Sequence, residues 1–342
     1  MEKRLLGYSG LQVSVLSLGT LTFGGVGERA VRVGGIKPDE ARRMIDMCID
    51  AGVNLFDTAN VYQQGRAEEV LGEALAGKRH DVLVASKVFS PMGDGDNDKG
   101  LSRHHIIRSC EDSLRRLNTD YLDLYQAHNF DALTPLEETL AAFDHLIQAG
   151  KVRYIGCSNY SGWQLMKALG LAKEYHTARY VSQQVYYSLI GRELEFELLP
   201  LSLDQNVGVL VWGPLAQGFL GGKYRRDSGF DKQGRYAYRF EPPINLPDDQ
   251  AYDIVDALYE IAQTRGVSVA QVAVNWVIGK RGVTSVIFGA RNMEQLQDNL
   301  NAATWRLTAD EIARLDAVSA PPIPYPYWHQ RKYGVGRNPL LF

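Results

Sequence analysis

The chain has 342 residues, of which 45% are hydrophobic and 23% are charged, so it can bury a large core. Its 37 Lys and Arg residues nearly balance its 40 Asp and Glu residues, and we expect no basic surface that would attract nucleic acid. No apolar run reaches the roughly 18 residues of a membrane span, and none at the start resembles a signal-peptide core.

Cysteine usage points to a reducing compartment. Cys48, Cys110 and Cys157 are odd in number and widely separated. This pattern is typical of reduced thiols, and it favours neither a disulfide framework nor a metal site. We therefore expect a cytoplasmic protein without a bound metal.

The predicted elements alternate between strand and helix after an N-terminal β-hairpin at 3–15. Eight apolar runs of strand length follow, at 15–18, 53–57, 82–87, 121–127, 152–157, 180–184, 207–212 and 283–288. Helical sequence separates these strands at 38–51, 66–76, 102–117, 136–149, 161–174, 194–204, 249–265 and 269–280, and one more helix follows at 292–302.

This alternation predicts an α/β fold with a parallel sheet, because parallel neighbours need crossover connections. Eight such units fit a closed (β/α)8 TIM barrel. An open doubly wound sheet is the alternative, but it should carry a GxGxxG fingerprint at a strand-to-helix turn, and this sequence has none there. We expect one domain over 1–342, with a long loop at 213–248 after the seventh strand.

Two other features lead to expectations about exposure. The C-terminal extension at 320–342 contains Tyr325, Tyr327, Trp328 and Tyr333, which suggests a tail that packs back onto the body. The pair His104 and His105 begins a predicted helix, and we expect both side chains to be solvated.

Polar residues stand at the ends of four successive predicted strands. Asp57, Lys87, His128 and Asn159 occupy these positions, and Tyr62 lies in the loop after the second strand. Each has an ordinary structural explanation when taken alone, since an Asp can cap a helix and a lone His is more often structural than catalytic. Because the strand ends of a barrel meet at one rim, the set together favours an active site.

These residue types suit proton transfer to a carbonyl oxygen. A phenol has an ordinary pKa of about 10, and a neighbouring ammonium lowers that pKa by stabilising the phenolate. A carboxylate keeps the ammonium charged, and a neutral imidazole can donate a hydrogen bond to the substrate oxygen. The set lacks an electron carrier, so a hydride donor must come from elsewhere.

The sequence resembles the aldo-keto reductase superfamily, especially its potassium-channel β-subunit-like and bacterial members. The resemblance rests on the segments 10–14, 50–59, 84–87, 121–128, 150–159 and 289–299. It implies a (β/α)8 oxidoreductase that uses NAD(P)H. It further implies Tyr62 as general acid and base, Lys87 and Asp57 as the pair that tunes it, and His128 as the residue that orients the carbonyl.

The same resemblance implies a cofactor site. Ser158, Asn159 and Gln184 match residues that bind the nicotinamide carboxamide, and Trp212 matches the aromatic residue that stacks on the ring. The remaining predicted cofactor-binding residues are Gly19, Thr20, Asp57, Gly213, Pro214, Leu215, Gln217, Gly218, Lys223, Gly289, Arg291, Gln295, Asp298 and Asn299.

Within that set, residues 213–218 would surround the pyrophosphate, with Lys223 as a further phosphate partner, and the last five would bind the adenosine end. Arg291 could hold a 2′-phosphate, which favours NADPH with NADH as the alternative, because a guanidinium fork matches phosphate geometry. The family often has Glu where Asp298 stands.

The resulting hypothesis is an NADPH-dependent reductase of small aldehydes or ketones, which would also run in reverse. The alternative is an NADPH-binding subunit that senses redox state with little turnover. A (β/α)8 hydrolase would need paired carboxylates or metal ligands at the rim, where only Asp57 stands. The sequence names neither the substrate nor the preferred direction, and it is compatible with a monomer or a homo-oligomer.

Overall fold

The computed structural model describes residues 1–27, 33–226, 248–334 and 337. Its centre is a closed barrel of eight strands, and every neighbouring pair of strands is parallel. The barrel strands are β3 (Leu16–Gly19), β4 (Leu55–Asp57), β5 (Leu83–Val88), β6 (Leu122–Ala127), β7 (Val152–Ser158), β8 (Tyr180–Tyr186), β9 (Gly208–Trp212) and β10 (Val283–Phe288). The predicted (β/α)8 barrel is confirmed.

An antiparallel hairpin of β1 (Lys3–Leu5) and β2 (Gln12–Ser14) precedes the barrel, as predicted. Its Leu6 and Val13 pack with interior barrel residues such as Leu124 and Leu210, so they close the end of the barrel at which the strands begin. Gly7 has φ +56°, and a Cβ there would lie 2.2 Å from the carbonyl oxygen of Val181. The hairpin therefore packs directly against the backbone of the barrel at this end, and the opposite rim is the place to look for a functional site.

Helices form the outer layer. They are α1 (Pro38–Asp50), α2 (Arg66–Ala74), α3 (Arg103–Leu117), α4 (Leu136–Gln148), α5 (Gly162–Glu174), α6 (Leu198–Gln205), α7 (Asp248–Arg265), α8 (Val269–Gly279), α9 (Met293–Asn301), α10 (Ala309–Val318) and α11 (Tyr327–Tyr333). The ends follow local sequence signals: Ser102 caps α3 through the backbone N–H of His105, and Ser161 and Gln164 form a capping box on α5. None of the helices in the described ranges is long and apolar enough to cross a membrane.

The structure corrects several expectations. His105 is buried, because it shares the inner face of α3 with Ser109 one turn later, whereas His104 is exposed as expected. The helix predicted at 194–204 is a short turn, Glu193–Glu195, followed by α6. The long loop after β9 is described only as far as 226, and 227–247 lie outside the described residues.

The C-terminal aromatic residues pack back only in part. Tyr327 lies 5.4 Å from Phe196 between ring centroids, so this residue meets the expectation. Tyr325, Trp328 and Tyr333 are 74%, 49% and 66% exposed, and for them the expectation was wrong. The short helix α11 thus contacts the body on one side only.

Candidate active site

A buried ion pair stands at the rim where β4 and β5 end. Lys87 is fully buried, and its Nζ donates to Asp57 Oδ1 at 2.5 Å and to the carbonyl oxygen of Thr58 at 2.7 Å. Burial acts to lower the pKa of Lys87, but the facing charge of Asp57 and its hydrogen bonds outweigh burial, and the net pKa is raised. Lys87 is therefore held as an ammonium.

The second oxygen of Asp57 is held by amides from two further strands. Gln184 Nε2 donates to Asp57 Oδ2 at 2.8 Å, and Gln126 Nε2 lies 3.3 Å from the same oxygen. Thr20 donates through its backbone N–H and its hydroxyl to the carbonyl oxygen of Asp57. Side chains from three neighbouring strands, β5, β6 and β8, therefore fix one carboxylate, and this compensates for its burial.

Tyr62 reaches this pair from the turn between β4 and α2. Lys87 Nζ donates to Tyr62 Oη at 3.3 Å. In the same turn, Gln63 and Gln64 have φ of +49° and +56°, a region that is unfavourable for residues other than glycine by about 1–3 kcal/mol each. The side chain of Gln63 is anchored to the carbonyl oxygen of Leu21 at 3.1 Å. Strain of this kind persists only where the surroundings hold it, and it concentrates at functional sites.

His128 completes the predicted set of four. Its ring lies 5.7 Å from the Tyr62 ring in an edge-on arrangement, just past the end of β6. Burial and the positive charge of Lys87 lower the pKa of His128 to about 3. The imidazole is therefore neutral at physiological pH, and it can donate one N–H to a substrate oxygen without carrying charge.

Next to this centre, the predicted carboxamide residues form a connected group. Asn159, at φ +57°, donates through Nδ2 to the carbonyl oxygen of His128 at 3.0 Å and to Ser158 Oγ at 3.0 Å. Its Oδ1 accepts from Trp212 Nε1 at 3.2 Å. Ser158 in turn donates to the carbonyl oxygen of Gln184 at 2.9 Å. The predicted residues of β7, β8 and β9 thus meet at the same rim as Asp57, Lys87 and His128.

The segment after β9 has an unusual backbone. Gly213, Ala216, Gln217 and Gly218 all have positive φ, between +47° and +99°. A succession of such conformations turns backbone N–H groups toward one side and can form an anion-binding concavity. Lys223 follows this segment and is exposed, and Pro214 and Leu215 lie within it.

The predicted adenosine-end residues lie elsewhere, in the segment between β10 and α9 and along α9 itself. The backbone N–H of Arg291 donates to Gln295 Oε1 at 3.0 Å. Asn299 Nδ2 donates to the carbonyl oxygen of Gly289 at 3.2 Å. Asp298 points to α8 instead, and its carboxylate accepts from Ser268 Oγ at 2.7 Å and Gln271 Nε2 at 2.6 Å. This carboxylate therefore already joins two helices.

Comparison with known sequences decides the family. The sequence model of the aldo/keto reductase family matches residues 15–320, which is most of the chain. This protein belongs to the aldo/keto reductase family. It is therefore an oxidoreductase of a family that generally uses NAD(P)H.

Relatives of this aldo/keto reductase come from plants and bacteria. It is 38% identical over 310 residues to a probable voltage-gated potassium channel subunit beta of Arabidopsis thaliana, covering 88% of this chain and 91% of the relative. A protein of the same description from Oryza sativa is 38% identical over 328 residues, covering 93% and 96%. An uncharacterized oxidoreductase of Bacillus subtilis, YrpG, is 37% identical over 335 residues, covering 94% and 97%.

The polar groups of this aldo/keto reductase fit a nicotinamide coenzyme in chemical type. Hydroxyl and amide groups of Ser158, Asn159 and Gln184 can answer the C=O and NH2 of a carboxamide. Gln217 Oε1 is buried and has no hydrogen-bond partner among the described residues. A buried polar atom of this kind calls for a partner, and a coenzyme lying along the segment after β9 would provide one.

Sequence reasoning missed Gln126. The pairing of β5 with β6 places Gln126 directly opposite Lys87, and its side chain points into the barrel toward Asp57. Leu124, two residues earlier, lies in the apolar barrel interior. A polar residue two positions after an inward apolar one, near a strand end, was the signal that could have identified it.

Proposed function

We propose that this protein is an NADPH-dependent carbonyl reductase that converts an aldehyde or ketone to an alcohol and also catalyses the reverse reaction. The observation that carries the proposal is the chain of contacts from buried Asp57 through buried Lys87 to half-buried Tyr62, with neutral His128 beside it. Such an arrangement has little structural use on its own, since the buried ion pair lowers stability unless it is fully compensated.

A bound nicotinamide coenzyme would supply the hydride that reduces the carbonyl carbon. The protein's own contribution is the proton. Tyr62 donates its phenolic proton to the developing alkoxide oxygen, and the Lys87 ammonium, 3.3 Å away, stabilises the phenolate that remains. Asp57 holds Lys87 in place and keeps it charged.

His128 orients the substrate in this proposal. Its pKa of about 3 keeps the imidazole neutral, so it donates a hydrogen bond to the carbonyl oxygen but does not compete with Tyr62 as the proton source. The edge-on contact keeps the two rings adjacent, 5.7 Å apart between centroids. Two donors that converge on one oxygen fix its position for proton transfer.

The preference for NADPH over NADH rests on Arg291 at the start of α9. A guanidinium there can pair with a 2′-phosphate, which NADH lacks. A cytoplasmic location and one domain over 1–342 stay predictions.

A second candidate function follows from two relatives that are described as probable potassium channel subunits. We consider the role of an NADPH-binding subunit that reports redox state to a partner protein. Such a subunit would bind the coenzyme tightly and turn over very slowly. Both functions therefore predict that the protein binds NADPH, and only the reductase predicts rapid turnover of a carbonyl substrate.

The test is the rate of NADPH oxidation with a panel of aldehydes and ketones, in parallel with NADPH binding measured by fluorescence. We expect wild type to turn over, and Tyr62→Phe to bind NADPH normally while its kcat falls by about 10²–10⁴-fold. Tyr154→Phe is the matched control, because Tyr154 is a half-buried tyrosine near the start of β7, away from the rim.

The possible outcomes separate the candidates. Tight NADPH binding with no turnover on any carbonyl would favour the redox-reporting subunit. Equal kcat values for Tyr62→Phe and wild type would contradict the role of Tyr62. If neither NADPH nor NADH binds, both proposed functions are wrong.

A further inference from the structure

A second buried charge lies directly behind the proposed proton-transfer centre. Glu68, in the first turn of α2, has no exposed side-chain surface. Its Oε1 accepts from Ser86 Oγ at 2.5 Å and its Oε2 accepts from Arg116 Nε at 2.7 Å. Burying a carboxylate is unfavourable unless both oxygens are engaged, and here each oxygen has one strong partner.

The position of Ser86 connects this network to the active site. Ser86 immediately precedes Lys87 on β5, and successive side chains of a strand point to opposite faces. Lys87 therefore faces the barrel interior, where it meets Asp57, while Ser86 faces the helices, where it meets Glu68. Ser86 and Lys87 therefore share one stretch of backbone, held by Glu68 on one face and by Asp57 on the other.

The position of Glu68 connects the network to Tyr62. The helix α2 begins directly after the Tyr62–Gly65 turn, and Glu68 is the third residue of that helix. The hydrogen bond between Glu68 and Ser86 thus ties the segment that carries Tyr62 to the strand that carries Lys87. It does so from the helix-facing side of β5, while Lys87 and Tyr62 meet at the rim of the barrel.

Arg116 supports the turn itself. Gly65 has φ +93°, and a Cβ at this position would lie 2.8 Å from Arg116 Cδ and 3.0 Å from its Nε. The side chain of Arg116 therefore runs directly against the end of the Tyr62–Gly65 turn before it reaches Glu68. Because Gln63 and Gln64 hold positive φ, this turn depends on contacts from its surroundings to keep its shape.

We propose that Glu68, acting through Ser86 and Arg116, is a positioning residue that sets the separation between Tyr62 and Lys87. This inference rests on the proposed reductase function and extends it to residues that do not touch substrate or coenzyme. A displacement of about 1 Å at a reacting group can lower a rate by about 100-fold, so a rigid support behind the pair has a clear use. Stability alone does not account for it, because apolar residues often replace buried ion pairs without loss.

The variant that tests this is Ser86→Ala, which removes one hydrogen bond and leaves the pair of Glu68 and Arg116 intact. We expect kcat to fall about tenfold while KM for NADPH stays within about twofold. We also expect the alkaline limb of the kcat profile to move to higher pH. Reduction requires protonated Tyr62, and a more distant Lys87 stabilises the phenolate less, so Tyr62 holds its proton to higher pH.

Two further variants serve as controls. Ser14→Ala removes an equally buried serine of the hairpin at the opposite end of the barrel, where its hydroxyl donates to the carbonyl oxygen of Leu16. It should leave kcat and the pH profile as in wild type. Ser86→Thr retains the hydroxyl and should restore most of the lost kcat.

If Ser86→Ala does not fold, Arg116→Lys takes its place, because this partly exposed residue keeps its charge and loses only the fixed geometry of the guanidinium. Loss of thermal stability with unchanged kcat and pH profile would overturn the positioning role. Turnover that is lost in Tyr62→Phe but unchanged in Ser86→Ala would overturn this inference alone. No turnover in wild type would overturn the reductase function, and this inference with it.

Discussion

The two ends of the proposed coenzyme site are built differently. At the end proposed for proton transfer, Lys87 and Asp57 are buried, and with Gln126 and Gln184 they form a group drawn from four barrel strands. At the adenosine end, the backbone N–H of Arg291 donates to Gln295 just before and within the first turn of α9, and Gln295 is exposed.

This difference in burial matches the two tasks that we propose for the site, which are proton transfer at the buried end and phosphate recognition at the exposed end. A charge that must act in catalysis is fixed before substrate arrives, and the barrel holds it with hydrogen bonds that also contribute to folding. A charge that only recognises a phosphate works at the surface, where it adds affinity and little stability. Substitutions at the first end should therefore alter stability and rate together, and substitutions at the second end should alter affinity alone.

The largest effect is expected for Lys87→Met. Removing the ammonium leaves Asp57 buried without its cation, which should lower the free energy of unfolding by about 3–5 kcal/mol and abolish turnover. Urea denaturation measures the first quantity. Asp57→Asn combined with Lys87→Met removes both charges and should recover most of the lost stability but none of the activity. A double variant as unstable as the sum of the two single variants would show that the charges do not act as a pair.

The next effect is a pH dependence of stability that comes from His128. Its folded-state pKa of about 3 lies below the ordinary value of about 6.5, so the unfolded chain binds the proton more readily. The stability from this residue is fully present above pH 6.5 and is lost as pH falls toward 3, by up to about 3 kcal/mol at pH 4. The loss between pH 7 and pH 4 should be smaller in His128→Gln than in wild type. Equal losses of stability in the two proteins would mean that folding does not lower the pKa of His128.

The smallest effect is expected for Arg291→Gln. The Kd for NADPH should rise about tenfold, or about 1.4 kcal/mol, because one phosphate contact is lost, while the Kd for NADH and the free energy of unfolding change little. Arg281→Gln is the matched control, since Arg281 is an exposed arginine just before β10 begins, at the opposite end of the barrel. Equal weakening of NADPH and NADH binding would remove the argument for a 2′-phosphate contact.

The sequence predicted where some polar residues lie and missed others. Residues at strand ends could be identified because strand periodicity fixes where each strand stops, and barrel closure then brings Asp57, Lys87 and His128 to one rim. Gln126 was missed, because the sequence does not show that this glutamine lies opposite Lys87 until the register between β5 and β6 is known. His105 was assigned to solvent, because only the packing of α3 decides which side of its first turn is covered.

The alternation of strands and helices, the closed barrel and the family could all be predicted from the sequence, since they follow from local periodicity and from motifs that are contiguous in the chain. The partner of each polar side chain became visible in the folded chain alone. Gln184 meets Asp57 from 127 residues away, Asp298 turns toward α8, and Glu68 reaches Ser86 behind Lys87. The physical reason is that a hydrogen bond is a short-range contact, and its partners are fixed by how strands and helices pack in space.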